Sequence, residues 1–238
     1  MKLIIVRHGD PDYVKDSLTP KGFKEAELLA DRLCRLNVDA FYCSPLGRAK
    51  DTASFTLNRL NRDAEILPWL QEFQGMVRKG LIVKSCWDRL PSEWTVNPDY
   101  YNRDKWNTTK LMQSKNVTEE YKKVCDGIDE LLKKHGYEHC GSYYKVMNSN
   151  HDTVVLFCHF GVECVILSHI FSCSPMVLWH NFIALPTSVT TLITEEREKG
   201  IAVFRCQQFA DISHLYAGGE EPSFAGRYCE CYNDKERH

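Results

Sequence analysis

Short apolar runs, which are typical of buried strands, alternate along the first third of the chain with segments whose apolar residues recur at helical spacing. The first run covers residues 3–6. The next predicted elements are a helix from Pro20 to about Leu36 with Thr19 as its N-cap, a strand at 39–43, a helix that starts near Arg48 and a strand at 65–70. This order predicts a mostly parallel sheet flanked by helices, which is a three-layer α/β sandwich.

The alternation stops between residues 73 and 150. This segment contains three of the five tryptophans and one amphipathic helix at about 118–135. We interpret it as a helical, aromatic-rich, cap-like insertion within a single domain that spans residues 1–238. Its tryptophans fit either a satellite core or an aromatic wall against a bound molecule.

The strand pattern resumes at residues 153–158, a nearly continuous apolar run of the kind found in central parallel strands. Two β-rich runs follow at 188–194 and 201–209, separated by a charged turn. They predict an antiparallel hairpin at the edge of the sheet. An exposed edge can pair with a second chain, so a homodimer is one expected assembly, with the oligomeric state left open.

Composition narrows the expected partners and compartment. The formal net charge of −2, without dense Lys/Arg runs, predicts neither a nucleic-acid partner nor a membrane-surface partner. No stretch approaches the roughly 18 consecutive apolar residues of a spanning helix. The N-terminus also lacks the longer apolar region of a signal peptide, and we therefore expect a cytoplasmic protein.

Eleven cysteines is a high and odd number. Many lie in apolar runs, as Cys158 and Cys164 do, where thiols usually act as small buried hydrophobic groups. A disulfide scaffold is not expected in a chain of this length without a secretion signal. Cys229 and Cys231 lack a second pair that would complete a zinc site, so no metal is expected there.

Charged and titratable side chains stand at the ends of the predicted parallel strands. Arg7 and His8 follow the first strand, and Arg48 lies at the start of the helix after the second. Glu72 follows the third strand, and His159 follows the later central strand. Ligands bind outside the carboxyl ends of the strands in open α/β sheets, so we expect these five side chains to meet there.

These residue types suit a phosphate group. A guanidinium presents a rigid fork of donors and stays charged at every working pH. Neutral imidazole is a competent nucleophile toward phosphorus near pH 7, and a carboxylic acid with a raised pKa can protonate a leaving oxygen. Glu72 is the least specific member, since glutamates are common near strand ends. Its competitors are Glu65, Glu93, Glu119 and Glu163. The other seven histidines, including His151 and His169, are assigned structural or surface roles.

Five motifs, in order, make the chain resemble the histidine phosphatase superfamily, the phosphoglycerate mutase-like group. They are RHG at 7–9, LTPKG at 18–22, SPLGRAKDTA at 44–53, LQE at 70–72 and CHFG at 158–161. The resemblance covers most of the chain apart from the insertion. It implies a phosphatase that uses neither a metal nor an organic cofactor and acts on a small-molecule phosphomonoester.

The resemblance also implies roles for the five residues. His8 is expected to be phosphorylated transiently. Arg7, Arg48 and His159 are expected to hold the phosphoryl oxygens, with His159 as part of the catalytic set. Glu72 is expected to act first as general acid and then as general base.

Two departures from the sugar-phosphate mutases leave other functions open. Val14 occupies the place of an asparagine that contacts phosphate in those enzymes, and Phe160 replaces a frequent glycine after the second histidine. Phosphomonoester hydrolysis is therefore the first expectation. A phosphoglycerate-type mutase is the nearest alternative, and a non-catalytic module that binds a phosphorylated ligand is the second.

Two residues are weaker candidates for contact with the substrate. Trp69 lies three residues before Glu72, where its ring could face the leaving group. Thr19 is most simply the N-cap of the first helix, and a substrate contact is its minority interpretation. Nothing in the sequence names the substrate.

Overall fold

A computed structural model describes residues 1–233, so residues 234–238 of the predicted domain lie outside the described part. Its strands are β1 (Lys2–Arg7), β2 (Pro11–Asp12), β3 (Ser17–Leu18), β4 (Ala40–Cys43), β5 (Glu65–Ile66), β6 (Met76–Lys79), β7 (Ile82–Ser85), β8 (Tyr137–Cys140), β9 (Tyr143–Val146), β10 (Thr153–Cys158), β11 (Val189–Glu198) and β12 (Ile201–Asp211). Its α-helices are α1 (Pro20–Leu33), α2 (Gly47–Leu60), α3 (Pro91–Trp94), α4 (Val117–Lys134), α5 (Phe160–Ile170), α6 (Pro175–Asn181) and α7 (Ser213–Ala217). None of the described helices is long and apolar enough to cross a membrane.

Eight strands form the main sheet, in the order β5-β4-β10-β1-β11-β12-β9-β8. The strands from β5 to β1 pair in parallel, and β11 pairs antiparallel with β1. The predicted α/β sandwich is confirmed. The predicted strand at 65–70 is shorter than expected, because a 3₁₀ turn at Pro68–Leu70 follows β5.

The predicted hairpin forms as β11 and β12 but does not lie at the edge of the sheet. Backbone pairing of Ile201 with Lys145 and of Ala202 with Tyr144 attaches β9 to β12, and β8 pairs with β9 beyond it. The edge position is therefore wrong, because β8 and β9 supply hydrogen-bond partners for the start of β12. The homodimer stays a prediction, and the β11–β12 hairpin is not the edge through which a second chain would pair.

Side chains alternate between the two faces of the central strands and build a core on each side. Leu3 and Ile5 of β1 join the larger core, which contains buried residues of α4, α5 and α6. Ile4 and Val6 join the second core, with residues of α1 and α2. The helices on both faces give the three layers.

Residues 73–150 contain the β6–β7 hairpin, α3, two 3₁₀ turns, α4 and the two strands β8 and β9. Trp94 and Trp106 are buried in the same core as β1, and the Trp106 ring lies 5.7 Å from the Trp179 ring in an edge-to-face contact. These two tryptophans extend the main core. The division into a domain and a cap-like insertion stays a prediction.

Candidate active site

The register of β1 against β10 brings the first two candidate residues beside the last one. Arg7 lies opposite Cys158, and the His8 amide donates to the Cys158 carbonyl at 3.0 Å. His159 therefore emerges next to His8, and the centroids of the two imidazole rings lie 5.0 Å apart. Both side chains are almost fully buried.

The His8 ring is held so that one nitrogen is free to react. Its Nδ1 lies 2.7 Å from the Gly9 carbonyl oxygen. A carbonyl only accepts, so Nδ1 carries the proton and Nε2 keeps its lone pair. Burial and the charge on Arg7 lower the pKa of His8 well below its ordinary value, and Arg48 adds to this effect. The imidazole is therefore neutral near pH 7.

His159 is the N-cap residue of α5 and is fixed by a hydroxyl from the neighbouring strand. Its Nε2 lies 2.8 Å from Ser44 Oγ, just after β4. Ser44 Oγ also accepts from the Leu46 amide at 3.3 Å, which fixes the hydroxyl beside the ring. Nδ1 of His159 is buried without a hydrogen-bond partner among residues 1–233. Burial, reinforced by His8 and both arginines, lowers the pKa of His159 well below its ordinary value.

Arg7 is anchored through one end of its guanidinium. Nη1 donates to the Ala184 carbonyl, and the side chain is largely buried. Gly226 packs directly on the same group, since a Cβ there would lie 2.6 Å from Arg7 Nη1. Gly226 also has a φ of +90°, which side-chain-bearing residues rarely adopt. The segment around Gly226 therefore packs against the Arg7 side of the phosphate centre.

Arg48 stands in the first turn of α2, where the backbone amides already favour an anion. Its Nη1 donates to Asp16 Oδ1 at 2.6 Å. The other oxygen of Asp16 accepts from the Gly47 amide at 2.7 Å. Asp16 thus fixes the guanidinium to the helix N-terminus, and the ring of Tyr13 lies 5.4 Å from the Arg48 guanidinium carbon.

Glu72 lies against the N-terminus of α5. Its carboxylate accepts from its neighbour's amide, Phe73 N, at 2.8 Å, and the Val162 amide also bonds to it. Gly161 makes room for it, since a Cβ there would lie 2.5 Å from Glu72 Oε1. Burial raises the pKa of Glu72, against the opposing effect of these two amides and of both arginines. The group can therefore be protonated at a higher pH than an ordinary glutamate.

The structure brings together the five strand-end residues that the sequence singled out. Arg7 and Arg48 act electrostatically on both histidines and on Glu72. The site thus contains two cations, two neutral imidazoles and one carboxyl group whose pKa burial raises. This set can bind a phosphoryl dianion, attack it and protonate a leaving oxygen.

The two weaker candidates have structural contacts. Thr19 caps α1 as predicted, since Oγ1 accepts from the Gly22 amide at 3.0 Å and donates to Asp10 Oδ2 at 2.6 Å. The Trp69 ring lies over Gly127 of α4, where an added Cβ would come within 2.5 Å of the indole. Contact of either residue with a substrate stays a prediction.

Sequence reasoning missed several residues around the site. Ser44 lay inside the quoted SPLG motif and could have been noticed there. Asp16 and Gly226 gave no sequence signal, because each reaches its arginine only through the folding of a loop. Glu163, which the sequence offered only as a competitor of Glu72, is fully buried near Arg7, and its carboxylate accepts from Thr190 Oγ1 at 2.6 Å. Burial raises the pKa of Glu163 to about 7.

Comparison with known proteins identifies the family of this chain. A sequence model described as the histidine phosphatase superfamily, branch 1, matches residues 3–207. The chain therefore belongs to the histidine phosphatase superfamily.

Among curated relatives, the chain is 27% identical over 146 residues to 2-carboxy-D-arabinitol-1-phosphatase of Triticum aestivum, and 24% identical over 147 residues to phosphoserine phosphatase 1 of Hydrogenobacter thermophilus. These matches cover 52% and 57% of this chain, and 29% and 66% of the respective relatives. The chain thus spans less than two thirds of the length of either relative.

The solved structures show the same fold. A phosphoserine phosphatase mutant from Entamoeba histolytica, in complex with phosphoserine, superposes with a TM-score of 0.61 at 19% identity. The match covers 90% of this chain and 98% of the other. At this level of identity the likeness supports the architecture alone.

Proposed function

We propose that this chain hydrolyses small phosphomonoesters in two steps, through a phosphohistidine on His8, without a metal or an organic cofactor. The observation that carries the proposal is the meeting of Arg7, His8, Arg48, Glu72 and His159 at the carboxyl ends of β1, β4 and β10. A module that only binds phosphate needs the cations but has no use for a neutral imidazole with a free lone pair.

In the first step the lone pair of His8 Nε2 forms a bond to phosphorus, while the bond from phosphorus to the ester oxygen breaks. The Gly9 carbonyl supports this step by holding the proton on Nδ1 and by orienting the ring. Glu72 gives its proton to the departing oxygen, which leaves as an alcohol. The products are the phosphohistidine and a Glu72 carboxylate.

Arg7 and Arg48 stabilise the charge on the transferred phosphoryl oxygens. Each guanidinium has a buried Nε without a hydrogen-bond partner among residues 1–233. His159 Nδ1 is a third buried group that can donate to these oxygens when it carries the ring proton, and Ser44 holds the ring in place. Such fixed donors in a buried site usually supply the largest part of the rate enhancement.

In the second step water attacks phosphorus, and the bond between phosphorus and His8 Nε2 breaks. The Glu72 carboxylate accepts the proton from this water and returns to its starting state. The released product is inorganic phosphate. The same residue thus acts as acid and base in succession.

The relatives suggest which substrates to test first. Their names refer to phosphoserine and 2-carboxy-D-arabinitol 1-phosphate, both phosphate esters of small hydroxylated carboxylic acids. We include this class in the proposal as the first to screen. The expected compartment is the cytoplasm, a proposal supported by eleven cysteines that are all free thiols.

The test compares the parent with His8→Ala and with the control His151→Ala, whose histidine is exposed. On p-nitrophenyl phosphate, His8→Ala should lose more than about 1000-fold in kcat, and the control should keep parental rates. The parent should also acquire substrate-derived phosphate on His8 that is stable in alkali and lost in acid. Parental turnover by His8→Ala would refute the mechanism.

The same experiment addresses the two alternatives. A bound phosphorylated ligand without turnover or labelling would support a binding module. A requirement for a bisphosphorylated sugar acid as primer would support a mutase. Hydrolysis that needs no primer supports the proposed phosphatase.

A further inference from the structure

Outside the phosphate centre, three potential metal ligands converge where α4, β8 and α5 meet. Asp129 lies on α4, His139 on β8 and His169 near the end of α5. One ligand atom from each lies within 4.8 Å of the others. We propose that these three side chains form a binding site for a divalent transition metal, for which zinc is the best match.

The distances are close to those of a metal site. His169 Nε2 lies 2.9 Å from Asp129 Oδ1, and His139 Nδ1 lies 3.2 Å from Asp129 Oδ2. The two imidazole rings have centroids 4.5 Å apart and planes tilted by 58°. Tetrahedral zinc with bonds of about 2.1 Å separates neighbouring ligand atoms by about 3.4 Å. Small side-chain rotations are therefore enough to turn all three ligand atoms toward one ion.

The types of ligand atom indicate which metal the site would prefer. Two imidazoles and one carboxylate suit zinc and similar transition ions, whereas magnesium and calcium prefer oxygen ligands. Both histidines present a ring nitrogen to the carboxylate. On binding, each of these nitrogens gives up its hydrogen position to the metal, and the imidazole proton moves to the other ring nitrogen through exchange with solvent. All three side chains are partly exposed, so an ion can reach them.

Tyr144 offers a partner for a water in the fourth position of such a metal. Its ring lies beside that of His139, with centroids 5.2 Å apart and planes tilted by 42°. Its hydroxyl is buried without a hydrogen-bond partner among residues 1–233, and it can bond to a metal-bound water.

The site is separate from the phosphate centre. In the sheet, β8 is four strands away from β1, which corresponds to about 20 Å. The helix α5 runs from His159 at its N-cap to His169 near its other end, a distance of about 15 Å. A metal here would join the outermost strand to two helices of the larger core. Its role would be structural.

Metal-free full-length protein is dialysed against Zn²⁺, and bound zinc is measured by elemental analysis. We expect one zinc per chain at this site and a rise in the melting temperature with Zn²⁺ but not with Mg²⁺. His139→Gln, His169→Gln and Asp129→Asn should each weaken binding by more than about tenfold. His151→Gln is the matched control, since it removes an exposed histidine that the proposal does not use.

Exposed thiols are the main competing ligands. A triple variant serves as the control, because it removes the three exposed cysteines: Cys206→Ser/Cys229→Ser/Cys231→Ser. This cysteine variant should still bind one zinc per chain. With Co²⁺ in place of zinc, that variant should show the visible bands of tetrahedral cobalt without a sulfur charge-transfer band.

Imidazole resonances of the parent, recorded by NMR, test the site even where a ligand variant fails to fold. Zn²⁺ should shift those of His139 and His169 and leave that of His151 unchanged. Loss of the zinc in the cysteine variant, full binding by His169→Gln, or no saturable binding by the parent would each overturn the proposal.

Discussion

Replacement of Gly161 by alanine is a specific test of the role of Glu72. A Cβ at this position would lie 2.5 Å from Glu72 Oε1, whereas ordinary contacts start near 3.4 Å. The carboxyl group must therefore retreat by about 1 Å. Gly161 lies in the first turn of α5, where alanine is a better helix former than glycine by up to about 1 kcal/mol. The fold should therefore tolerate the change.

The expected loss follows from how much the leaving group depends on a proton. A misplacement of about 1 Å can cost roughly 100-fold in rate, and general acid catalysis is worth about 100- to 10 000-fold. An alkyl phosphate has a basic leaving oxygen and needs the proton. A p-nitrophenyl ester releases a stable phenolate and needs it much less. Gly161→Ala should therefore lower kcat by about 100-fold on an alkyl phosphate, and by less than about tenfold on p-nitrophenyl phosphate.

A double-mutant cycle provides the control. If Gly161→Ala acts through Glu72, the double variant Gly161→Ala/Glu72→Gln should be no slower than Glu72→Gln alone. Thermal denaturation should show a melting temperature at or above that of the parent. Equal losses on both substrates, or additive losses in the cycle, would refute the assignment of Glu72 as the proton donor.

Two further predictions concern titration. Arg48→Ala removes a positive charge that lowers the pKa of His8 and of Glu72, so both limbs of the pH–rate profile on an alkyl phosphate, which needs the proton of Glu72, should move to higher pH; unchanged limbs would contradict the electrostatic role of Arg48. Burial raises the pKa of Glu25 to about 7, so the folded state holds more protons than the unfolded state between about pH 4.5 and 7. The contribution of Glu25 to the free energy of unfolding should then fall as pH rises through this window, by at most about 3 kcal/mol. In urea denaturation the stability of Glu25→Gln should therefore rise relative to that of the parent over this window; the same pH dependence in both proteins would contradict this.

Local patterns predicted the parallel half of the sheet because each strand and helix there shows its own periodicity. The runs at 3–6, 39–43 and 153–158 became β1, β4 and β10. The strands β8 and β9 were missed, since Tyr137–Cys140 and Tyr143–Val146 are short and mixed in polarity. Their stability depends on pairing with the distant β12, and no local pattern records such a partner.

The same limit applies to the site. Arg7, His8, Arg48, Glu72 and His159 were predictable because strand ends converge in a parallel sheet. The partners that orient them were not, because they reach the site along loops. Asp16 takes a left-handed backbone conformation, φ +49°, in the loop before β3, and from there it reaches both Gly47 and Arg48. A sequence pattern identifies the reacting groups more readily than the groups that hold them.

The arrangement of charges explains why these reacting groups suit each other. The proposed first step needs a neutral histidine and a protonated glutamic acid at the same time. In water the glutamic acid loses its proton at about pH 4.3 and the histidine at about pH 6.5, so this combination is always a minor species. In the site, burial lowers the pKa of His8 and raises that of Glu72. The two pKa values move toward each other, and the active combination gains population as they do.

Arg7 and Arg48 favour the reactive state of His8 but disfavour that of Glu72. Their charges lower the pKa of both His8 and Glu72, which helps the nucleophile but works against the acid. A bound phosphate dianion offsets these charges. The pKa of Glu72 should then rise further, and the acid should gain its proton when the substrate is in place. Glu72 is therefore best protonated in the complex with substrate, at the stage where the departing oxygen needs the proton.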